Sequence, residues 1–424
     1  MTGSVNHSVG RRRVFYIPGY DPIHPRRYRE LYRKEGAAQA DISGYDLALS
    51  PKAADGQGRY GWNVRAQMNQ RQIETQFEVL VWSDIVRDSM EQGILATYLQ
   101  LLRTAWAYIA SGALFRLMRL RKGPVIAALY PVGMLVLQLL VAMLAGHAVG
   151  QGLAWAVQFL PFGQESTSFA ARQVAAGMAY WLGFVPTAWG LLRWFKSKDN
   201  KLFAYYLMHD YAYSARFNGA NPPELEARMA EFTNEIAAAL RDPMDEVLIV
   251  GHSSGAHLAV SILSDLVRAG NVPKGGPALS FLSLGQVVPM VSFLPRAHRL
   301  RADLRFLSAC NQVTWIDVTA PGDGCAFALC DPVSVSGVAP ESKRWPLVVS
   351  AAFSQTLSPA RWRALRWRFF RLHFQYLCAF DRPGDYDYFQ ITAGPLTLAK
   401  RYRDRHPSPS RIETPVAKFT GISV

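Results

Sequence analysis

The reading turns on Val247-Leu248-Ile249-Val250-Gly251-His252-Ser253-Ser254-Gly255-Ala256-His257-Leu258. The stretch opens with an unbroken apolar run, as a strand buried on both faces does. Gly251-His252-Ser253-Ser254-Gly255 follows, a Gly-x-Ser-x-Gly pattern. Ser254 to Ala269 has helical spacing and is stopped by Gly270. A chain that turns sharply from strand to helix needs small residues on both sides of the turning residue. Gly251 and Gly255 therefore have a steric reason to be there. The turn lifts the Ser253 hydroxyl to the carboxyl end of the sheet. The helix N-terminus behind it favours developing negative charge. Ser253 is thus a candidate nucleophile, and the plain alternative is an incidental strand-turn-helix.

Moving outward, Arg11–Arg13 lead into Val14-Phe15-Tyr16-Ile17, a short buried strand broken by Pro18-Gly19-Tyr20-Asp21-Pro22. Phe77 to Trp82 reads as a second strand, and the polar Gly-, Arg- and Gln-rich region between them as loop with some helix. Pro222 to Leu240 is an amphipathic helix with acidic first turns. Glu246 to Val250, Leu279 to Leu284 and Val313 to Val318 are further strands. The alternation of strand and helix predicts an α/β fold, a mostly parallel sheet with helices on both faces.

A different pattern interrupts this one. Ile94 to Leu120 has the spacing of one basic amphipathic helix, suited to a membrane interface or to a soluble core. Pro124 to Gly146 and Val174 to Leu192 carry no charged residue. At about 1.5 Å per residue each approaches or exceeds the roughly 30 Å of a bilayer core. Pro131 and Pro186 lie inside the runs, which membrane helices tolerate. Leu153 to Phe162 is apolar but short, as an interfacial segment would be. These runs predict a two-span membrane hairpin, the alternative being a pair of buried core helices. Arg116, Arg119, Arg121 and Lys122 precede the first run, and Arg193, Lys196, Lys198 and Lys201 follow the second. Between them only Arg172 is basic, so the positive-inside rule places both chain ends and the catalytic domain in the cytoplasm.

Composition agrees with this division. Of 424 residues half are hydrophobic and 18% are charged, and 46 Lys and Arg against 32 Asp and Glu leave a formal charge of +14. Such an excess suits an anionic membrane surface, a nucleic acid or a solvated basic face. The basic clusters flank apolar segments, and no zinc-finger or RNA-binding signature is present, so the bilayer is the expected partner and nucleic acid is not. Cys310, Cys325, Cys330 and Cys378 form no CxxC pair and no Cys/His metal spacing, so free thiols and no metal are expected. No phosphate-binding or dinucleotide fingerprint is present, so no cofactor is expected. Met1 to Arg13 is polar and basic, without the apolar core of a signal peptide.

The elbow Gly251-His252-Ser253-Ser254-Gly255, between its strand and its helix, resembles the lipase- and esterase-like α/β-hydrolase superfamily. The resemblance covers roughly residues 11–87 and 201–400. It implies an oxyanion hole from the amide after the nucleophile, Ser254, and from a loop after an earlier strand, where Tyr20 N–H stands with Gly19 making room. This chain has Pro18-Gly19 where that family commonly has His-Gly; a simple tight turn is the alternative. The resemblance also implies the chain order Ser, acid, His. Asp323 lies past the end of a strand, where the family's acid sits, with Asp317 and Asp331 as alternatives. Only His373 and His406 follow it, and His373 has the better-ordered neighbourhood.

The expected protein is thus a membrane-anchored serine hydrolase cleaving a carboxylic ester, lipid-like by location, through Ser253, His373 and Asp323. Thioesterases and acyltransferases share the fold, and a non-catalytic tethered scaffold is the competing reading. The expected boundaries are 11–87 and 201–405 for the two parts of the hydrolase domain and 88–200 for the membrane module, with spans at about 124–146 and 174–192. Residues 406–424 read as a flexible tail. Oligomeric state is not legible.

Overall fold

The computed structural model describes residues 9–52, 59–90, 93–160 and 166–423. The first eight residues, and 161–162 of the short apolar stretch expected at the interface, lie outside them.

The sheet contains β1 (Arg11–Ile17), β2 (Asp46–Pro51), β3 (Gly61–Met68), β4 (Arg71–Val79), β5 (Glu246–His252), β6 (Ala278–Leu284), β7 (Val313–Thr319) and β8 (Leu347–Ser350). Their order in space is β2-β3-β4-β1-β5-β6-β7-β8. β3 is antiparallel to β2 and β4. Every other neighbouring pair is parallel. The expected mixed α/β architecture with a mostly parallel sheet is found. The region read as loop with some helix does contain a helix, Arg26–Ser43, but also β2 and β3, which were not expected. In β3, Trp62, Val64, Ala66 and Met68 face the core while the residues between them are more exposed, the period-2 pattern of a one-sided strand. β4 ends at Val79, earlier than expected, because Ser83 opens a short helix.

β5 is buried along its whole length. Leu248 and Val250 join one core with Val14, Tyr16, Leu282, Leu284, Ile316 and Val318. Val247 and Ile249 are equally buried, so both faces of the sheet are covered. The helix Gly255–Arg268 packs on β5, β1 and β6, beside the helices Pro223–Ala239 and His298–Ala309. The strand begins on a buried ion pair, with Arg12 Nε donating to Glu246 Oε2 at 2.7 Å. The other Arg12 donors reach the carbonyls of Gly394 and Leu396. Ser280 Oγ and the Leu398 amide donate to Glu246 Oε1, so the buried carboxylate is well partnered.

The chain divides into two compact units: Met1–Asp88, Trp106–Val125 and Ser214–Val424 in the first, and Ser89–Ala105 with Ile126–Tyr213 in the second. The expected module boundaries therefore shift. Residues 94–120 are two helices, Ile94–Ala110 and Ala113–Leu120, parted at Gly112 with φ +73°. Within the first unit Tyr108, Arg116 and Arg121 donate hydrogen bonds to the carbonyls of Met290, Val416 and Ala328. The C-terminal segment is docked rather than loose. Ile412 bridges to Cys330, and the Ser408, Val416 and Ala417 amides donate to the carbonyls of Val348 and Val335. These backbone pairings are what the Pro- and Ser-rich composition conceals.

Among the described residues one helix, Lys122–Phe159, is long and apolar enough to cross a membrane, and from Ile126 on it belongs to the second unit. Many of its large side chains are exposed, among them Ile126, Leu137, Leu144 and Trp155. The second expected span lies within the helix Ser166–Ser197. Its Tyr, Trp, Thr, Pro and Gly content leaves it below the apolarity of the first, so the two-span expectation is corrected to one helix of spanning composition. The two helices touch through glycine. A Cβ on Gly146 would stand 2.8 Å from Phe184 O, one on Gly150 2.8 Å from Tyr180 O, and one on Gly183 3.0 Å from Gly150 Cα. Gly146 and Gly150 form a Gly-xxx-Gly spacing, which lets helix backbones approach closely.

Candidate active site

At the carboxyl end of β5 the chain reverses into the helix Gly255–Arg268, and Ser253 sits at the corner with φ +55°. A non-glycine residue in the left-handed region is strained by about 1 kcal/mol or more and is held there by its surroundings. Those surroundings are visible. Ser253 N donates to Leu284 O at 2.9 Å, and Ala256 N to Ser253 O at 3.1 Å. A Cβ on Gly251 would stand 2.8 Å from Ala256 Cα, and one on Gly255 2.1 Å from Ile17 O. Both glycines are thus required by the close packing of strand, turn and helix. Ser253 is half-buried and Ser254 buried. The Ser254 amide donates to no acceptor among the described residues, which leaves it open to a ligand oxygen.

The loop after β1 lies against this corner. A Cβ on Gly19 would stand 3.0 Å from Ser253 Cβ and 3.4 Å from its Oγ. A side chain there would press on the serine, so the bare loop backbone lies close to it. The loop is braced from both sides. Trp82 Nε1 donates to Pro18 O at 3.0 Å, Tyr28 Oη to Asp21 Oδ2 at 2.7 Å, and the Ile23 amide to Asp21 Oδ1 at 2.9 Å. Tyr20 follows Gly19, buried, with its ring edge-on to Trp82.

The acid and base arrive from beyond β7 and β8. Asp323 Oδ2 accepts from His373 Nδ1 at 2.7 Å and from Tyr376 Oη at 3.0 Å. Asp323 Oδ1 accepts from the Cys325 amide at 2.9 Å. Burial alone would raise this carboxyl. The charge and hydrogen bond of His373, with the Cys325 amide and Tyr376, outweigh burial and hold it below its ordinary value. An ionised Asp323 fixes the proton on His373 Nδ1 and leaves Nε2 free to act as a base.

Residues outside the expected set hold this pair in place. A Cβ on Gly285, at φ +52°, would stand 3.0 Å from His373 Cε1 and 2.7 Å from the Tyr376 ring, so imidazole and phenol lie over a bare backbone. Gly285 directly follows Leu284, whose carbonyl receives the Ser253 amide. The His252 ring lies 4.9 Å from that of His373, and its Nε2 is 3.1 Å from His373 O. Burial first, and the neighbouring His373 second, lower His252 to about 3, so it stays neutral and tethers the His373 backbone. Tyr376 lies three residues past His373, one helical turn away. That spacing was the only signal in the chain that could have pointed to it.

Ser253, Gly19, Gly285 and Asp323 all follow strands of the sheet at their carboxyl ends, and His373 leans over Gly285. In open α/β sheets this edge is where ligands bind. The Ser253 side chain makes no hydrogen bond among the described residues, so Ser253 and His373 are not directly bonded here. Catalytic hydrogen bonds often tighten only with substrate present.

The alternatives lie elsewhere. Asp317 points from β7 to Ser283, whose hydroxyl donates to Oδ1 at 2.5 Å and accepts from Trp315 Nε1 at 2.8 Å. Burial raises Asp317 to about 8, so it is a protonated core acid at neutral pH. Asp331 caps the short helix Pro332–Val335 and pairs with Lys343. His406 is exposed, and His257 is buried on the helix after the elbow. A cavity of about 250 Å3 lined by Arg11, Asn63, Arg65 and Glu74 opens at the amino ends of β1 and β4, away from Ser253.

One metal-capable cluster is present among the described residues: Asp323, Cys325 and His373 offer ligand atoms within 4.8 Å of one another. The proton shared by His373 Nδ1 and Asp323 Oδ2 occupies the lone pairs a cation would need, so the cluster fits an acid–base pair better than a metal site. Comparison with known protein families, curated proteins and solved structures finds no match for this chain.

Proposed function

We propose that the chain is a membrane-attached serine hydrolase that cleaves a carboxylic ester. The observation that carries the reading is one juxtaposition: Ser253 held at φ +55° where the sheet turns, its amide bonded to Leu284 O, next to Gly285, over which His373 lies paired with the buried Asp323. Ser253 Oγ attacks the ester carbonyl while His373 Nε2 takes its proton. Asp323 orients the imidazole and stabilises its charged form. The Ser254 and Tyr20 amides receive the oxyanion, with Gly19 opening the approach. His373 returns the proton to the leaving alcohol, and water then releases the acyl group by the same steps in reverse. Thioesters and acyl transfer to an alcohol need the same groups, so esters are the first class to test.

Two features support membrane attachment. The helices of the second unit display large apolar side chains over most of their length, which water disfavours. They pack by glycine contacts of the kind membrane helices use. The sheet adds a parity argument. β1 lies between β4 and β5, so the chain before and after the second unit belongs to one sheet. An odd number of crossings would tear that sheet apart. The second unit therefore crosses twice, Ser166–Ser197 returning the chain, or inserts without crossing. In either case the basic flanks favour the catalytic domain on the cytoplasmic side.

A fluorophosphonate probe tests the enzyme reading directly. The wild-type chain should be labelled, and Ser253→Ala should lose both labelling and esterase activity while remaining folded. A folded wild-type chain that takes no label would instead be a scaffold.

A further inference from the structure

We propose that the segment Arg361–Arg371 is a docking surface for anionic phospholipid, seated beside the active site. The proposal deepens the hydrolase reading, because it gives the ester substrate a place of entry at the bilayer surface.

The segment comprises two short helices, Pro359–Leu365 and Phe369–His373, the second ending on the proposed base. It alternates arginine with aromatic residues. Trp367 is 73% exposed and Phe369 46%. Arg363, Arg366, Arg368 and Arg371 are exposed too, and none of the four is paired with a carboxylate among the described residues. Arg361, by contrast, pairs with Glu35 and Asp381 and anchors the segment to the domain. An exposed surface of arginine and large aromatics, with no acidic residue from Arg361 to Arg371, complements a membrane interface. Trp and Phe enter the headgroup region while guanidinium groups meet phosphate.

The surface lies near the first residues of the apolar helix, which belong to the same unit. A Cβ on Gly322 would stand 2.5 Å from the Trp362 ring, and one on Gly324 3.0 Å from the Phe369 ring. The segment therefore lies on the loop that carries Asp323. On its other side a Cβ on Gly123 would stand 3.4 Å from Gly324 Cα. Gly123 is the second residue of the helix long and apolar enough to cross a membrane. The exposed aromatics thus flank the point where that helix starts, where the bilayer surface would be.

The test uses the full chain reconstituted in phosphatidylcholine vesicles with and without phosphatidylglycerol, each with brominated acyl chains that quench nearby tryptophan. Wild type should be quenched more than Trp367→Phe, and the difference should be several-fold larger with phosphatidylglycerol. Arg366→Gln with Arg368→Gln should weaken the docked state by roughly thirtyfold and abolish that difference. Fluorophosphonate labelling of the variants in detergent should be unchanged, which reports the hydrolase reading separately. Equal quenching of wild type and Trp367→Phe in the anionic vesicles would overturn docking. A difference indifferent to phosphatidylglycerol and to the arginines would overturn recognition of anionic lipid.

Discussion

Gly255 and Ile17 meet backbone to backbone: a Cβ on the glycine would stand 2.1 Å from the Ile17 carbonyl oxygen. That oxygen belongs to the central strand and cannot yield without disturbing its pairing with β4 and β5. Gly255→Ala should therefore cost about 1–3 kcal/mol by overpacking and shift the elbow off the Gly19 loop. A lowered melting temperature together with lost fluorophosphonate labelling is the expected result. Full labelling would show that the turn is not held by this contact.

Ser253 stores strain that the fold does not need. Ser253→Gly should relieve the left-handed penalty, offset in part by the freer unfolded chain, for a net gain of up to about 1 kcal/mol. Thermal unfolding should move upward while labelling disappears. A destabilised Ser253→Gly would mean that the hydroxyl contributes more to stability than its backbone costs.

Tyr376 is predicted to support the acid–base pair without touching substrate. Asp323 is held below its ordinary value, so it contributes stability above the usual carboxylate range that is lost as pH falls through the lowered value. Tyr376→Phe removes one of the groups holding it down. Acid unfolding should then begin at higher pH, and kcat for a soluble ester should fall about tenfold with KM little changed. An unaltered acid limb would assign the phenol to packing alone.

Asp317 should act in the opposite sense. Its folded value is raised to about 8, so between the usual carboxylate range and about pH 8 the folded chain keeps a proton that the unfolded chain has lost. Stability should decline as pH rises through that window, on the order of 1 kcal/mol per pH unit. Asp317→Asn should flatten the decline, measured by denaturant unfolding at several pH values. Wild-type and variant curves of equal slope would show that Asp317 ionises in place.

The parity of membrane crossing is open to cysteine labelling in a cysteine-free background. Leu160→Cys, just after the apolar helix, and Lys274→Cys, exposed on the sheet domain, serve as reporters. With two crossings an impermeant thiol reagent should reach them from opposite faces of sealed vesicles. Modification of both from the same face would mean insertion without crossing.

The strand Glu246–His252, its turn and the following helix were legible because all three signals fall within a dozen residues. Asp323 and His373 were legible through the resemblance and the shortage of later histidines. Their 2.7 Å contact was not, since it joins residues fifty positions apart. β2 and β3 escaped because their outward faces are polar, and half a strand's signal among Gly and Arg resembles loop. Tyr376, His252 and Gly285 escaped for another reason: hydrogen bonds, ring contacts and bare backbone assemble them in three dimensions, and the three-residue step from His373 to Tyr376 is the one local trace. The glycines at 146, 150 and 183 read as ordinary apolar filler until two helices are seen to meet there.

The place of β1 between β4 and β5 also sets a timetable. During synthesis β1 leaves the ribosome long before its β5 neighbour exists, with more than two hundred residues still to come. Until then its backbone donors and acceptors on that side form an open sheet edge, the kind that invites pairing with other chains. The apolar helices of the second unit are made in the same interval. The nascent chain is therefore most vulnerable to aggregation and proteolysis once the second unit has emerged and before residue 252 does. A chaperone that shields strand edges should matter most in that window.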